Sequence, residues 1–198
     1  MVTILIFAVS LMSGAQDSTS WPAADPVRSS SAQIIALLRD GARDSPTLQR
    51  LVATLEMMNG IVYIEPGACR TGADRLPACL VNEIVATGGR RYLRILVNVK
   101  MDRVDLTGSL GHELQHAVEV LSESSVTSTA ALLAFYQGAG RNGARSFETS
   151  AAVDAGLAVA REIKTSQKQA ANVRRSSHQP EARAAEQRAA SPRGWIVP

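Results

Sequence analysis

Apolar and polar positions divide this chain into short segments of different period. Val2–Met12 is a continuous apolar run, shorter than the ~18–20 residues needed to cross a bilayer. Ser13-Gly14-Ala15 follows it, with small residues suited to cleavage before Gln16. The pattern predicts a signal peptide over residues 1–15 and hence an exported protein, periplasmic or secreted. No Lys or Arg precedes the run, and a buried N-terminal element or a misassigned start is the other reading. Residues 16–31 read as a flexible lead-in of Ser, Asp, Pro and Ala. Gln33–Leu38 and Thr47–Met58 have helical spacing and are separated by Gly41 and Pro46. Asp44 or Ser45 is placed to cap the second helix, and Gly60 to end it.

Ile61–Ile64 is a β-prone run stopped by Pro66-Gly67. Leu80–Val85 is apolar and fits either a strand or a helix. Tyr92–Val99 is the clearest strand: Leu93, Ile95, Val97 and Val99 alternate with Tyr92, Arg94, Leu96 and Asn98. Gly88-Gly89 supplies the turn before it. Leu106–Leu121 reads as a helix capped by Asp105, and Thr129–Tyr136 as a short helix before a Gly-rich loop at 138–143. Phe147–Ile163 reads as a long helix capped by Ser146. From Thr165 large apolar residues nearly vanish, which predicts a basic, frayed or disordered tail over 165–198. The predicted fold is therefore α+β, with one domain over residues 32–164.

A chain of 198 residues has room for one domain of ordinary size, and 45% apolar with 20% charged residues excludes wholesale disorder. Only 4% are aromatic, so the core must be aliphatic. The net charge of +3 is uneven: residues 161–198 carry eight basic and three acidic residues, and the remainder thirteen and fifteen. The tail therefore accounts for the basic balance. A solvated end is the plain reading of it, and no nucleic-acid partner is expected. No transmembrane span is expected either. Cys69 and Cys79 are too few for a disulfide scaffold, but the pair suits one bridge in an oxidising compartment. Free buried thiols are the alternative.

His112-Glu113-Leu114-Gln115-His116 is an H-E-x-x-H motif, and it holds two of the chain's three histidines. On a helix the two imidazoles lie one turn apart and can reach one metal ion. Zn2+ suits two neutral histidines plus a carboxylate, with a fourth position open for water. Glu113, ~100° from His112 around the helix, is placed to take a proton from water activated by the metal. At that ~100° step, Leu106, Leu110, Leu114, Ala117, Val118 and Leu121 fall opposite the histidines. The helix is thus expected to bury its leucines and present its histidines to a cleft.

The third ligand is less determined by the sequence. His178 lies in the predicted tail. Glu148 opens the next long helix, and Ala151, Ala152, Ala155, Gly156, Val159 and Ile163 share its face; such small residues permit close helix approach. Asp154 is the weaker choice, and an ordinary acidic helix start is the plain alternative. Glu119 falls beside both histidines, where it could fix a ligand tautomer or simply be solvated. Tyr136 is a candidate donor to an oxyanion, with a core tyrosine the plainer reading. Arg94 and Asn98 could line a cleft, or be ordinary exposed positions.

His112, Glu113 and His116, followed by Glu148, resemble the zincin metallopeptidases of the gluzincin type. Gly111–Val120 with Phe147–Ala152 resembles small exported bacterial proteins of that kind. The resemblance covers residues 90–163. It implies a zincin-like domain in which a short mixed sheet backs the active-site helix and an edge strand, here Tyr92–Val99, binds the substrate backbone. It implies Zn2+ on His112, His116 and Glu148, with Glu113 as general base for peptide hydrolysis. The gap from His116 to Glu148 is longer than in the best-known gluzincins, Ala152 stands where thermolysin-like chains carry Asp, and no second large domain walls the cleft. The expected protein is a monomeric zinc peptidase acting on a peptide or protein substrate. The alternatives are a non-catalytic zinc-binding interaction domain and a helical interaction protein without metal.

Overall fold

The computed structural model describes residues 26–71, 74–139 and 148–189. The predicted signal peptide and Ser146 lie outside these residues. The order is β1 (Val27–Arg28), α1 (Ala32–Asp44), α2 (Pro46–Glu56), β2 (Gly60–Pro66), β3 (Cys69–Thr71), β4 (Asp74–Leu76), β5 (Ala78–Leu80), β6 (Val85–Thr87), β7 (Arg90–Val97), α3 (Arg103–Ser122), α4 (Thr129–Ala139) and α5 (Ser150–Ala189). The architecture is α+β, with five helices and a small mixed sheet among the described residues.

The long strand β7 is the centre of the sheet. β2 runs parallel to it along one side, with Val62 opposite Leu93 and Ile64 opposite Ile95, and β1 extends that side. β6 and β5 share the other side, both antiparallel. The predicted alternation is present in β7: Leu93, Ile95 and Val97 are buried. The other face is open, where Tyr63 and Tyr92 stack with centroids 6.5 Å apart and Arg94 lies between Glu65 and Glu83. Gly88 and Gly89 have φ of 57° and 72°, the left-handed pair that a two-residue hairpin matched to strand twist requires. Tyr92–Val99 is thus central, and the expectation that it forms the substrate-binding edge does not hold.

Several boundaries differ from the sequence reading. The end of the lead-in is ordered: Val27 is fully buried beside Val62, and Ser31 caps α1 by accepting from the Ile34 amide. Gly41 does not break α1; it lies where the helix meets Leu48. Asp102, not Asp105, caps α3, its carboxylate accepting from the Val104 amide at 2.8 Å. At the other end of α3 the Arg91 guanidinium donates to the carbonyls of Val120, Leu121 and Glu123, which satisfies acceptors the helix leaves open. α5 starts three residues later than predicted and continues to Ala189 instead of fraying at Thr165. Its described side chains beyond Ile163 are none of them buried, so the lack of apolar residues there removed packing without ending the helix.

Glu162 anchors α5 to the start of α2. Its carboxylate accepts from the Ser45 hydroxyl at 2.5 Å, the Thr47 amide at 3.0 Å and the Thr47 hydroxyl at 2.8 Å. Ser45 in turn caps α2 by accepting from the Leu48 amide. Burial pushes the Glu162 carboxyl up, but the bonds from Ser45 and Thr47 outweigh it and hold it below the ordinary 4.5. A carboxyl lowered on folding contributes stability above its unfolded value and loses it as pH falls through the folded one. Glu162→Gln is therefore expected to unfold at lower temperature than wild type at pH 7, by the equivalent of ~1–2 kcal/mol. The gap should close below about pH 4.5. A gap in melting temperature that persists unchanged at pH 3 would refute this account.

Candidate metal centre

α3 passes between two sets of neighbours: α2, β5 and β7 on one side and α5 on another. Leu106, Leu110, Leu114, Ala117 and Leu121 are buried as the helical stripe requires, while Val118 is half-buried. The opposite face is covered as well. Gly108 and Gly111 admit α5 so closely that a Cβ on Gly111 would stand 2.7 Å from Val159 Cγ2. A Cβ on Gly156 would stand 3.1 Å from both the Gly108 carbonyl oxygen and His112 Cβ. The small-residue face read from the sequence is the seam, through Ala152, Ala155, Gly156, Val159 and Ile163; Ala151 is exposed. His116 is consequently buried, contrary to the expectation of two histidines open to a cleft, and His112 keeps 18% of its side chain exposed.

This approach brings Glu148 to the motif. Glu148 directly precedes Thr149, whose hydroxyl caps α5 by accepting from the Ala152 amide at 3.1 Å. His112 Nε2 lies 3.1 Å from His116 Nε2 and 3.4 Å from Glu148 Oε2. One ligand atom from each of the three residues lies within 4.8 Å of the others, so the group can hold a metal ion. Asp154 is exposed and outside this group. A tetrahedral site with ~2.0–2.1 Å bonds separates its donors by about 3.3 Å. Two of the spacings, 3.1 Å and 3.4 Å, are close to that edge, and all three donors lie within 4.8 Å of one another, so the group could hold a metal ion.

Glu119 does more than lie nearby. It accepts from His116 Nδ1 at 3.0 Å and from the Thr149 hydroxyl at 2.7 Å. With Nδ1–H donated to Glu119, the His116 Nε2 lone pair is left for a metal. Burial raises the Glu119 carboxyl, but these bonds prevail and hold it below its ordinary value, hence ionised. Burial, then the neighbouring His116, lowers His112. Sequence reasoning missed Thr149, because Ser146 competed for the same capping role. The signal was a Thr three residues before Ala152. Glu119→Gln and Thr149→Val are each expected to weaken metal binding about 10–100-fold without unfolding the protein. Competition with a fluorescent chelator reads this, and unchanged affinity in both would show that the link is incidental.

Glu113 lines the same cleft as His112 and Glu148 and reaches toward β5. Its Oε2 accepts from the Leu80 amide of β5 at 2.7 Å. Burial raises the carboxyl to about 6, against a lowering by that amide and by His116. The sequence held no sign of this strand contact, since Leu80–Val85 could not be assigned a structure. Cys69 and Cys79 form the expected disulfide, with Cα atoms 5.8 Å apart, which ties β5 to the entry of β3. Tyr136 is fully buried behind His116, its ring meeting the imidazole edge-on at 5.4 Å. Burial pushes its phenol far up, so it stays neutral. It packs behind His116 and is not among the residues that line the cleft. Arg94 lies on the open sheet face, and neither it nor Asn98 lines that cleft.

His112, Glu113 and Glu148 open on a cleft of about 460 Å³. Leu76, Pro77 and Ala78 form one wall, and Val153, Leu157 and Ala160 of α5 another. No candidate membrane-spanning helix occurs among the described residues. Comparison with protein-family models, curated proteins and solved structures found no match to this chain.

Proposed function

We propose that this chain is an exported zinc-dependent peptidase. The observation that carries the reading is the spacing of the His112, His116 and Glu148 donors at the mouth of a cleft that also receives Glu113. Two imidazoles and one carboxylate with a position left open are the donor set of catalytic zinc. Bound there, zinc would supply a Lewis acid for water and for a substrate carbonyl. Glu113, raised to about 6 by burial, is suited to accept a proton near neutral pH and to return it to a leaving amine. Glu119 orients His116, and Thr149 holds the start of α5 so that Glu148 faces the histidines. β5 is an end strand of the sheet, and Pro77 and Ala78 border the cleft. An extended peptide can add to such an edge. The disulfide supports the exported reading, because such bonds persist in oxidising compartments.

The test is the metal content of the purified protein, wild type and Glu148→Ala, followed by screening with quenched-fluorescent peptides. About one zinc per chain in wild type, lost or much weakened in the variant, with peptide hydrolysis in the first, is the expected result. No metal in either after zinc is supplied would refute the reading.

A further inference from the structure

We propose, building on the peptidase reading, that the cleft selects peptides with a lysine or arginine beside the bond to be cut, and that Asp105 reads that charge. Asp105, Gly108, Ser109 and His112 all line the cleft. Asp105 stands seven residues before His112, which is two turns along one face of α3 and about 10 Å at 1.5 Å per residue. The metal ligands thus mark one end of a trough and Asp105 the other. The floor between them is glycine: Gly108 from α3 and Gly156 from α5. The walls are aliphatic, with Val153, Ala160 and a Leu157 that remains 57% exposed on α5.

A trough with apolar walls and a carboxylate at its far end matches a long aliphatic stem that ends in a cation. The charge pattern agrees. The lining contains no Lys or Arg. Its other carboxylates are committed, Glu113 to the Leu80 amide and Glu148 to the metal-ligand group. Asp105 is exposed and enters no ion pair among the described residues. A leucine-sized side chain would fill only the near part of the trough, and an acidic one would meet Asp105 as a like charge.

The experiment uses the full chain with zinc bound and Glu113→Gln in place, so that peptides bind without being cut. Labelled hexapeptides carrying Lys, Arg, Leu or Glu at each position in turn are titrated by fluorescence anisotropy. The Lys and Arg peptides are expected to bind roughly three- to tenfold more tightly than the Leu peptides at one position, and the Glu peptide most weakly. Adding Asp105→Asn should bring the Lys-to-Leu ratio towards one, and Asp105→Glu should restore it; zinc content checks that each variant keeps its site. A ratio near one in the parent, a basic preference that survives Asp105→Asn, or no binding by any peptide would overturn the proposal. Hydrolysis by wild type is measured on the same peptides. Charge-selective binding without hydrolysis removes the peptidase reading and keeps only the recognition of a basic side chain by Asp105, whereas hydrolysis without charge preference keeps the peptidase reading and removes the proposal.

Discussion

Replacing Glu113 by glutamine is expected to lower peptide turnover about 10²–10⁴-fold, the usual worth of a positioned general base, while zinc stays near one per chain. The separation of the two effects follows from the geometry. The three metal-ligand candidates are His112, His116 and Glu148, and Glu113 is not among them. Its carboxylate is held from the β-sheet side by the Leu80 amide. Glutamine keeps an oxygen that can accept from that amide, so the strand contact and the fold should persist. It cannot accept the proton that hydrolysis releases. The measurement is a paired one, turnover on a quenched peptide and metal by mass spectrometry on the same preparation. Equal turnover in both proteins would exclude Glu113 as the base. Loss of zinc together with activity would instead give Glu113 a part in holding the metal, and the proposed division of labour would fall. A domain that binds zinc without catalysis would lose nothing on this substitution.

Gly111→Val is expected to cost about 1–3 kcal/mol, the range for overpacking a tight contact, and to weaken metal binding with it. At ~2–4 °C per kcal/mol for a domain of this size, the melting temperature should fall by several degrees. The first side-chain atom alone would come within 2.7 Å of Val159 Cγ2 and 3.2 Å of its Cβ. Val159 is fully buried and β-branched, so it has little freedom to turn aside. The helices must separate, and α5 would carry Glu148 away from His112. Gly138→Ala is the control. A Cβ there meets nothing within 4 Å, and replacing glycine in a helix adds roughly 0.5–1 kcal/mol. Thermal melts of both variants with a zinc titration test the pair. A Gly111→Val protein that melts like wild type and binds zinc normally would show that the seam yields more easily than its spacing implies.

The motif helix, its leucine stripe and the disulfide were legible because each is a local signal: a five-residue spacing, a 3.6-residue period, an even pair of cysteines. Glu148 could be chosen because its small neighbours announce a close helix seam. The burial of His116 was not legible, since helical period gives the direction of a side chain and not what covers it; α4 and α5 cover it from distant sequence. The edge strand was assigned wrongly for the same reason. Tyr92–Val99 has the strongest alternation because it is central, whereas β5, three residues long, is too short to show a period. Asp105 was read as the cap of α3, yet Asp102, three residues earlier, takes that place, because the cap is decided by where the backbone turns into the helix.

The shortness of β5 gives the Cys69–Cys79 bond a meaning beyond cross-linking. A strand of three residues has few ladder bonds with which to fix its alignment on β7. A slip of one residue would turn each of its side chains to the opposite face and would offer Glu113 a different amide, or none. Cys79 sits in the middle of that strand, opposite Leu96, and its sulfur is fastened to Cys69 at the end of a ten-residue span. The covalent bond therefore serves as a latch on register: it holds an otherwise weakly indexed strand at the one setting in which Leu80 faces Glu113.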